Sequence, residues 1–156
     1  MPELMEEIAE ILKKEGLTIA TAESCTGGLV GHMLTNIPGS SEYYRGGIIA
    51  YSNEAKIRFL CVRKEAIEKY GAVSEQVAYE MADGAKRIFD VDLAIATTGV
   101  AGPSGSENKP VGLVYIGLAN PYGIEVKRFN FKGNRLENKE NFAKAALNML
   151  LDFLKR

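Results

Sequence analysis

Leu17-Thr18-Ile19-Ala20-Thr21 runs into Ala22-Glu23-Ser24-Cys25-Thr26-Gly27-Gly28 and then into Leu29-Val30-Gly31-His32-Met33-Leu34. The first run is β-branched and reads as a strand, while the last reads as a helix. A strand that ends where a helix begins presents free backbone N–H groups, with the positive end of the helix dipole behind them. Gly27 and Gly28 have no side chain to block a ligand. Ser24, Cys25 and Thr26 add three nucleophilic or hydrogen-bonding groups, a combination suited to stabilising an oxyanion or holding a phosphate. The alternative is an ordinary helix N-cap, in which Ser24 or Thr26 satisfies orphan N–H groups and nothing more.

The alternation of strand and helix continues on both sides. Upstream, Pro2 to Glu15 is an amphipathic helix with Leu4, Met5, Ile8, Ile11 and Leu12 on one face, stopped by Gly16. Downstream, residues 36–41 are a turn cluster, and Gly46-Gly47-Ile48-Ile49-Ala50-Tyr51 reads as a buried strand broken by Ser52-Asn53. Glu54 to Leu60 and Lys64 to Tyr70 are short helices. Ser74 caps a longer one, Glu75 to Phe89, whose apolar stripe is Val77, Ala78, Met81, Ala85, Ile88 and Phe89. Asp92 to Thr98 is the next strand and opens into the Gly-rich stretch Gly99-Val100-Ala101-Gly102-Pro103-Ser104-Gly105-Ser106. Gly112 to Ala119 and Glu125 to Phe131 form a hairpin, and Leu136 to Lys155 is a closing helix. Helix-separated strands pair in parallel, and the hairpin adds antiparallel pairs. The expectation is an α/β fold: a three-layer α/β/α sandwich with a mixed, mostly parallel sheet, in a single domain over residues 1–156.

A chain of 156 residues is long enough for one proper core. Its formal net charge of -1 provides no positive field to invite nucleic acid. The acidic N-terminus carries no signal-peptide pattern and no apolar run is long enough to span a bilayer, so a cytoplasmic location without membrane partners is expected. Two cysteines, Cys25 and Cys61, suggest neither a disulfide framework nor a zinc site. The one histidine, His32, lies two turns into the helix after Ser24 and reads as a structural or surface residue. Self-association into a homo-oligomer stays open.

Ligands of open α/β sheets gather outside the carboxyl ends of the parallel strands. Three segments leave such ends: residues 22–28, 51–56 and 97–105. Lys56 is the candidate activator of a nucleophile there. Burial disfavours its charged form, and a neutral lysine can take the serine proton. The competing reading is a solvated helix-surface lysine. Tyr51 is either a hydrogen-bond donor in the pocket or a strand-end aromatic. Cys25 is the rival nucleophile or an inert core thiol. Glu23 holds a lysine or ligand hydroxyl, or caps the turn. The Gly99 to Gly105 loop resembles a phosphate cradle without the Lys-Ser/Thr ending of a Walker loop, and a structural turn is the alternative. Arg135 and Lys109 are candidates for an anionic ligand, Arg135 as a forked donor, against plain solvent exposure.

Six stretches together resemble the C-terminal domain of CinA, the competence/damage-inducible family, whose stand-alone members include nicotinamide-nucleotide amidases of the PncC type. They are Thr21 to Gly28, Pro38 to Ser41, Ala50 to Lys56, Gly71 to Ser74, Thr98 to Pro103 and Lys109 to Gly112. The resemblance implies a deamidase that converts nicotinamide mononucleotide to nicotinic acid mononucleotide and ammonia. It implies Ser24 as nucleophile and Lys56 as base, with no metal and no cofactor. It covers the C-terminal domain, so the separate hydrolase activity of the N-terminal domain of full-length CinA is not implied. The expected machinery is therefore Ser24 and Lys56, with Tyr51 or Thr98 orienting the lysine or the amide. Oxyanion donors are expected at Cys25 to Gly27. Glu23, Cys25, Thr26, Gly27, Gly28, Thr98, Gly99, Ala101, Gly102 and Arg135 are expected to surround a small-molecule nucleotide substrate.

Overall fold

A computed structural model describes residues 2–156. The elements follow in the order α1 (Pro2–Glu15), β1 (Ile19–Glu23), α2 (Leu29–Thr35), a single 3₁₀ turn (Ser40–Glu42), β2 (Tyr44–Ile49), α3 (Asn53–Leu60), α4 (Lys64–Tyr70), α5 (Glu75–Phe89), β3 (Leu93–Gly99), β4 (Leu113–Asn120), β5 (Gly123–Asn130) and α6 (Arg135–Leu154). One five-stranded sheet has the order β2-β1-β3-β4-β5. β1 pairs in parallel with both β2 and β3, while β3–β4 and β4–β5 are antiparallel. Only β4 therefore runs against the other four. The sheet is mixed as expected, with its pairings evenly divided between the two kinds.

The two faces of the sheet carry side chains of different size, which sets how closely helices approach. Along β3, Leu93 and Ile95 alternate with Ala94 and Ala96. The large side chains meet α1, α2 and α6 in a cluster that includes Ile8, Leu12, Leu34 and Phe142. The alanines, with Ala22 and Ala119, face α5 in a second cluster around Val77, Met81 and Ala85. There the backbones nearly touch: a Cβ on Gly117 would lie 2.7 Å from the Ala78 carbonyl oxygen, and one on Gly84 would lie 1.9 Å from that of Leu60. This is the three-layer arrangement.

Three local readings need correction. β2 is not a buried strand; as the edge of the sheet it alternates half-buried and exposed residues, and Ile49 and Tyr51 are exposed. β1 starts two residues later than expected and includes Ala22 and Glu23, because these extend the ladder with Ala96 and Thr97. Ile88 lies outside the α5 stripe and faces solvent. No helix among the described residues is long and apolar enough to cross a membrane.

Candidate active site

Strand parity decides what the β1–α2 turn displays. Thr21 and Glu23 point toward α2, whereas Ala22 lies in the α5-side cluster. Carried one residue past the strand end, the alternation turns Ser24 to the α3 side of the sheet. The chain then leaves β2 through Ala50, whose N–H donates to the Glu23 carbonyl at 2.8 Å, and enters α3. The Ser52 side chain caps α3 by accepting from the Ala55 N–H at 3.0 Å. Lys56, one turn in, points back to the sheet. Its Nζ lies 3.0 Å from Ser24 Oγ and 3.1 Å from the Tyr51 carbonyl oxygen.

Lys56 is only 2% exposed. Burial is the main influence on its amine and holds its pKa below the ordinary lysine value. The charges that act against burial come from Cys25 and Glu107. Cys25 is itself buried, and loss of solvation pushes its thiol up to about 12. A thiol that stays protonated carries no charge, which leaves the Glu107 carboxylate as the opposing influence. A neutral amine here donates an N–H to the Tyr51 carbonyl and so turns its lone pair toward the Ser24 hydroxyl. Tyr51 thus orients the lysine through its main chain, while its phenol does something else. Cys25, protonated and packed in the core, is unsuited to thiolate chemistry.

These groups open into a cleft of about 320 Å³. Of the expected residues, Ser24, Cys25, Tyr51, Lys56, Thr98, Gly99, Ala101, Gly102 and Arg135 line it. The Thr98 hydroxyl donates to the Ala72 carbonyl at 2.7 Å, so it ties the α4–α5 turn to the sheet and makes no bond to Lys56. At the mouth, Arg135 begins α6. One arm of its guanidinium bonds the Gly102 carbonyl, and the other donates to the Tyr51 phenol oxygen at 3.2 Å. A larger hollow of about 510 Å³ opens at the opposite end of the sheet, near Tyr122 and Phe153, with no nucleophile and base in contact.

Glu23, Thr26, Gly27 and Gly28 are not brought into this cleft. Glu23 is buried and its carboxylate accepts from the N–H groups of Gly28, Val30 and Gly31 at 3.1, 2.9 and 2.9 Å. It also accepts from the Thr26 hydroxyl at 2.6 Å. The capping alternative is the one that holds, and the side chain occupies the anion position at the α2 N-terminus. Thr26 is likewise consumed, with its Oγ1 2.8 Å from that of Thr97. Gly27 and Gly28 face a separate hollow beside His32, Leu136 and Lys139. The Gly27 N–H closes a turn onto the Ser24 carbonyl at 3.1 Å, which removes it from the expected oxyanion donors. The N–H groups of Cys25 and Thr26 donate to no backbone carbonyl among the described residues.

The sequence reading missed the residues that brace the far wall. Glu107 accepts from the N–H groups of Ala72 and Val73 at 2.9 and 3.1 Å. Burial alone would raise its pKa, yet these donors and Lys109 together hold the carboxyl below its usual range. Lys109 is no free cation for a ligand: its Nζ donates to the carbonyls of Tyr70 and Val73 and lies 3.7 Å from Glu107. Glu107 and Asn108 both have positive φ, 53° and 62°, and form the tip of the tight turn that brings Glu107 back to residues 72 and 73. Among the described residues, no group of His, Cys, Asp or Glu gathers as a metal site would.

The family model described as the CinA C-terminal domain matches residues 1–154. A "Putative competence-damage inducible protein" of Halothermothrix orenii is 50% identical over 154 residues, and a "CinA-like protein" of Chloroherpeton thalassium is 53% identical over 156. Each match covers 97% of this chain but 37% of the relative, so the chain spans little more than a third of those proteins. Among solved structures, the competence damage-inducible protein A from Klebsiella pneumoniae has a TM-score of 0.96 at 35% identity, covering 99% of this chain and 96% of that one. The competence/damage inducible protein CihA from Agrobacterium tumefaciens has a TM-score of 0.94 at 39% identity, covering 99% and 94%.

Proposed function

The chain belongs to the CinA C-terminal domain family, and from that premise we propose that it is a Ser-Lys amidohydrolase that deamidates nicotinamide mononucleotide. The observation that carries this reading is the contact of 3.0 Å between Lys56 Nζ and Ser24 Oγ, made by an amine whose burial favours its neutral form. A surface lysine at the same distance would be protonated and unable to act as a base.

In the proposed reaction Lys56 accepts the Ser24 proton as the hydroxyl oxygen attacks the carboxamide carbon. Of the expected oxyanion donors, Cys25 borders the cleft beside Ser24, and its N–H is the donor at hand. The ammonium of Lys56 then returns the proton to the departing nitrogen, which leaves as ammonia. Ser24 is left as an ester of the pyridine carboxylate. Water attacks that ester with Lys56 again as base, and the ester C–O bond breaks. Ser24 recovers its proton and the acid departs. Arg135, forked and at the mouth, suits the phosphate. The cleft volume of about 320 Å³ fits a compact small-molecule ligand.

The test is ammonia release from nicotinamide mononucleotide. Wild-type turnover that falls by about 10³-fold or more in both Ser24→Ala and Lys56→Ala supports the dyad. Undiminished turnover in either variant removes it. Thermal stabilisation by the nucleotide without any ammonia would make this a binding module instead.

A further inference from the structure

α6 carries a polar side chain where its sequence calls for an apolar one. Asn138 lies on the inward stripe with Phe142 and Ala146, spaced four and eight residues on, and it is 0% exposed. Its side chain is fully engaged. Nδ2 donates to the carbonyls of Ala101 and Gly133, both at 2.9 Å, and Oδ1 accepts from the Gly133 N–H at 3.0 Å. Asn138 thus grips both polar groups of one residue before the helix and one carbonyl of the cleft floor. Gly133 fits only because it lacks a side chain; a Cβ there would meet Glu137 Cβ at 2.8 Å and Asn138 Oδ1 at 3.1 Å. Between Gly133 and Asn138 lies Arg135, and Arg135 bonds the very next carbonyl of the floor, that of Gly102. Two successive floor carbonyls are therefore held from one helix, one by a buried amide and one by the guanidinium at the mouth.

The geometry points to Asn138 as a positioning residue that fixes Arg135 over the cleft and so sets affinity for the phosphate-bearing part of the substrate, an inference that rests on the mononucleotide-amidase reading. Asn138 does not line the cleft and hydrogen-bonds neither Ser24 nor Lys56. Its effect should appear in KM and pass through Arg135.

The experiment measures kcat and KM for nicotinamide mononucleotide on the whole chain in four forms: wild type, Asn138→Ala, Arg135→Ala and the double variant. Asn138→Ala is expected to raise KM by about tenfold with kcat within about threefold of wild type. Added to Arg135→Ala, it is expected to change KM by less than about twofold, because the residue it positions is already gone. A purely structural role would not produce that dependence. Effects that multiply in the double variant, an unchanged KM, or a loss confined to kcat overturn the assignment. Gly133→Ala loosens the same grip from outside the core and stands in if Asn138→Ala does not fold; it must show the same KM rise and the same dependence on Arg135. If the wild type releases no ammonia, the amidase reading fails by itself. The dissociation constant of nicotinamide mononucleotide is then measured by calorimetry on the same four forms, where the same non-additive pattern is required. No binding to the wild type overturns both.

Discussion

Replacing Lys56 by methionine should abolish activity and make the protein more stable. In the unfolded chain the amine is solvated and protonated until about pH 10.5. In the folded chain it is 2% exposed, and burial lowers its pKa. Folding at neutral pH therefore carries an electrostatic cost. Deprotonation sets a ceiling on that cost, about 5 kcal/mol at pH 7, since the group can always release its proton instead. Methionine of similar length removes the cost. It also removes the hydrogen-bond partner of the Ser24 hydroxyl and the Tyr51 carbonyl, but both border the cleft, where water can replace it. A net gain of about 1–3 kcal/mol follows, in line with other replacements of buried ions by apolar side chains. For a domain of this size that is a rise in Tm of about 3–9 °C.

The pH dependence separates this cause from better packing. Between the folded and unfolded pKa values of Lys56, the unfolded state binds more protons, so wild-type stability rises with pH. The advantage of Lys56→Met should accordingly shrink as pH climbs, by up to about 1.4 kcal/mol per unit, and vanish near the unfolded lysine value. Denaturant titrations of both proteins from pH 6 to pH 10 measure it. A variant less stable than wild type at pH 7, or a gap that stays flat across the range, would refute a desolvated amine at residue 56.

Glu107→Gln should move the acidic limb of the pH–rate profile to lower pH. The carboxylate is the charge that holds the Lys56 pKa up, and the proposed reaction needs that amine neutral; a limb that moves to higher pH contradicts the sign. A thiol reagent at neutral pH should modify the exposed Cys61 quickly and spare buried Cys25, giving one fast equivalent in the native protein and two after unfolding. Two fast equivalents would show Cys25 to be accessible. Glu23→Ala should lower stability by about 3–5 kcal/mol, read as a drop in midpoint denaturant concentration, because it strands three N–H donors in a buried turn and leaves the Thr26 hydroxyl with Thr97 alone. A loss below about 1 kcal/mol would place the capping role elsewhere.

The layering was legible because residue size and periodicity report burial directly: the Leu93–Ala94–Ile95–Ala96 alternation and the α5 stripe each assign a face. Ile88 shows the limit, since it keeps the helical period but lies beyond the edge its stripe covers. β2 misled because Gly-Gly-Ile-Ile is as apolar as a central strand, and whether a strand is central depends on which neighbours it acquires. The contact of Ser24 with Lys56 bridges 32 residues, and no local pattern encodes such a distance. Converging strand ends made the pair a candidate, and family resemblance chose it over the surface-lysine alternative. Asn138 left a usable trace, a polar residue on an apolar stripe. Glu107 left only a turn, and its bond to residues 72 and 73 follows from tertiary closure.

The β1–α2 turn resolves a conflict that the sequence leaves open, between holding a phosphate and holding itself together. A helix N-terminus offers its N–H groups once. In this chain Glu23 takes those of Gly28, Val30 and Gly31 with a carboxylate that is part of the turn, so a ligand anion there would have to displace a buried charge. The same parity that sends Glu23 to α2 sends its neighbour Ser24 to α3. Anchoring the turn and displaying the Ser24 hydroxyl are thus one structural event, and both depend on adjacent residues pointing to opposite faces. A phosphate on the proposed substrate would then be met from outside the turn, and among the cleft-lining residues Arg135 is the guanidinium in reach of the mouth. Moving Glu23 and Ser24 by one residue, as a single insertion in β1 would do, should therefore cost stability and the Ser24–Lys56 contact together, and no second-site change at Lys56 could restore either one.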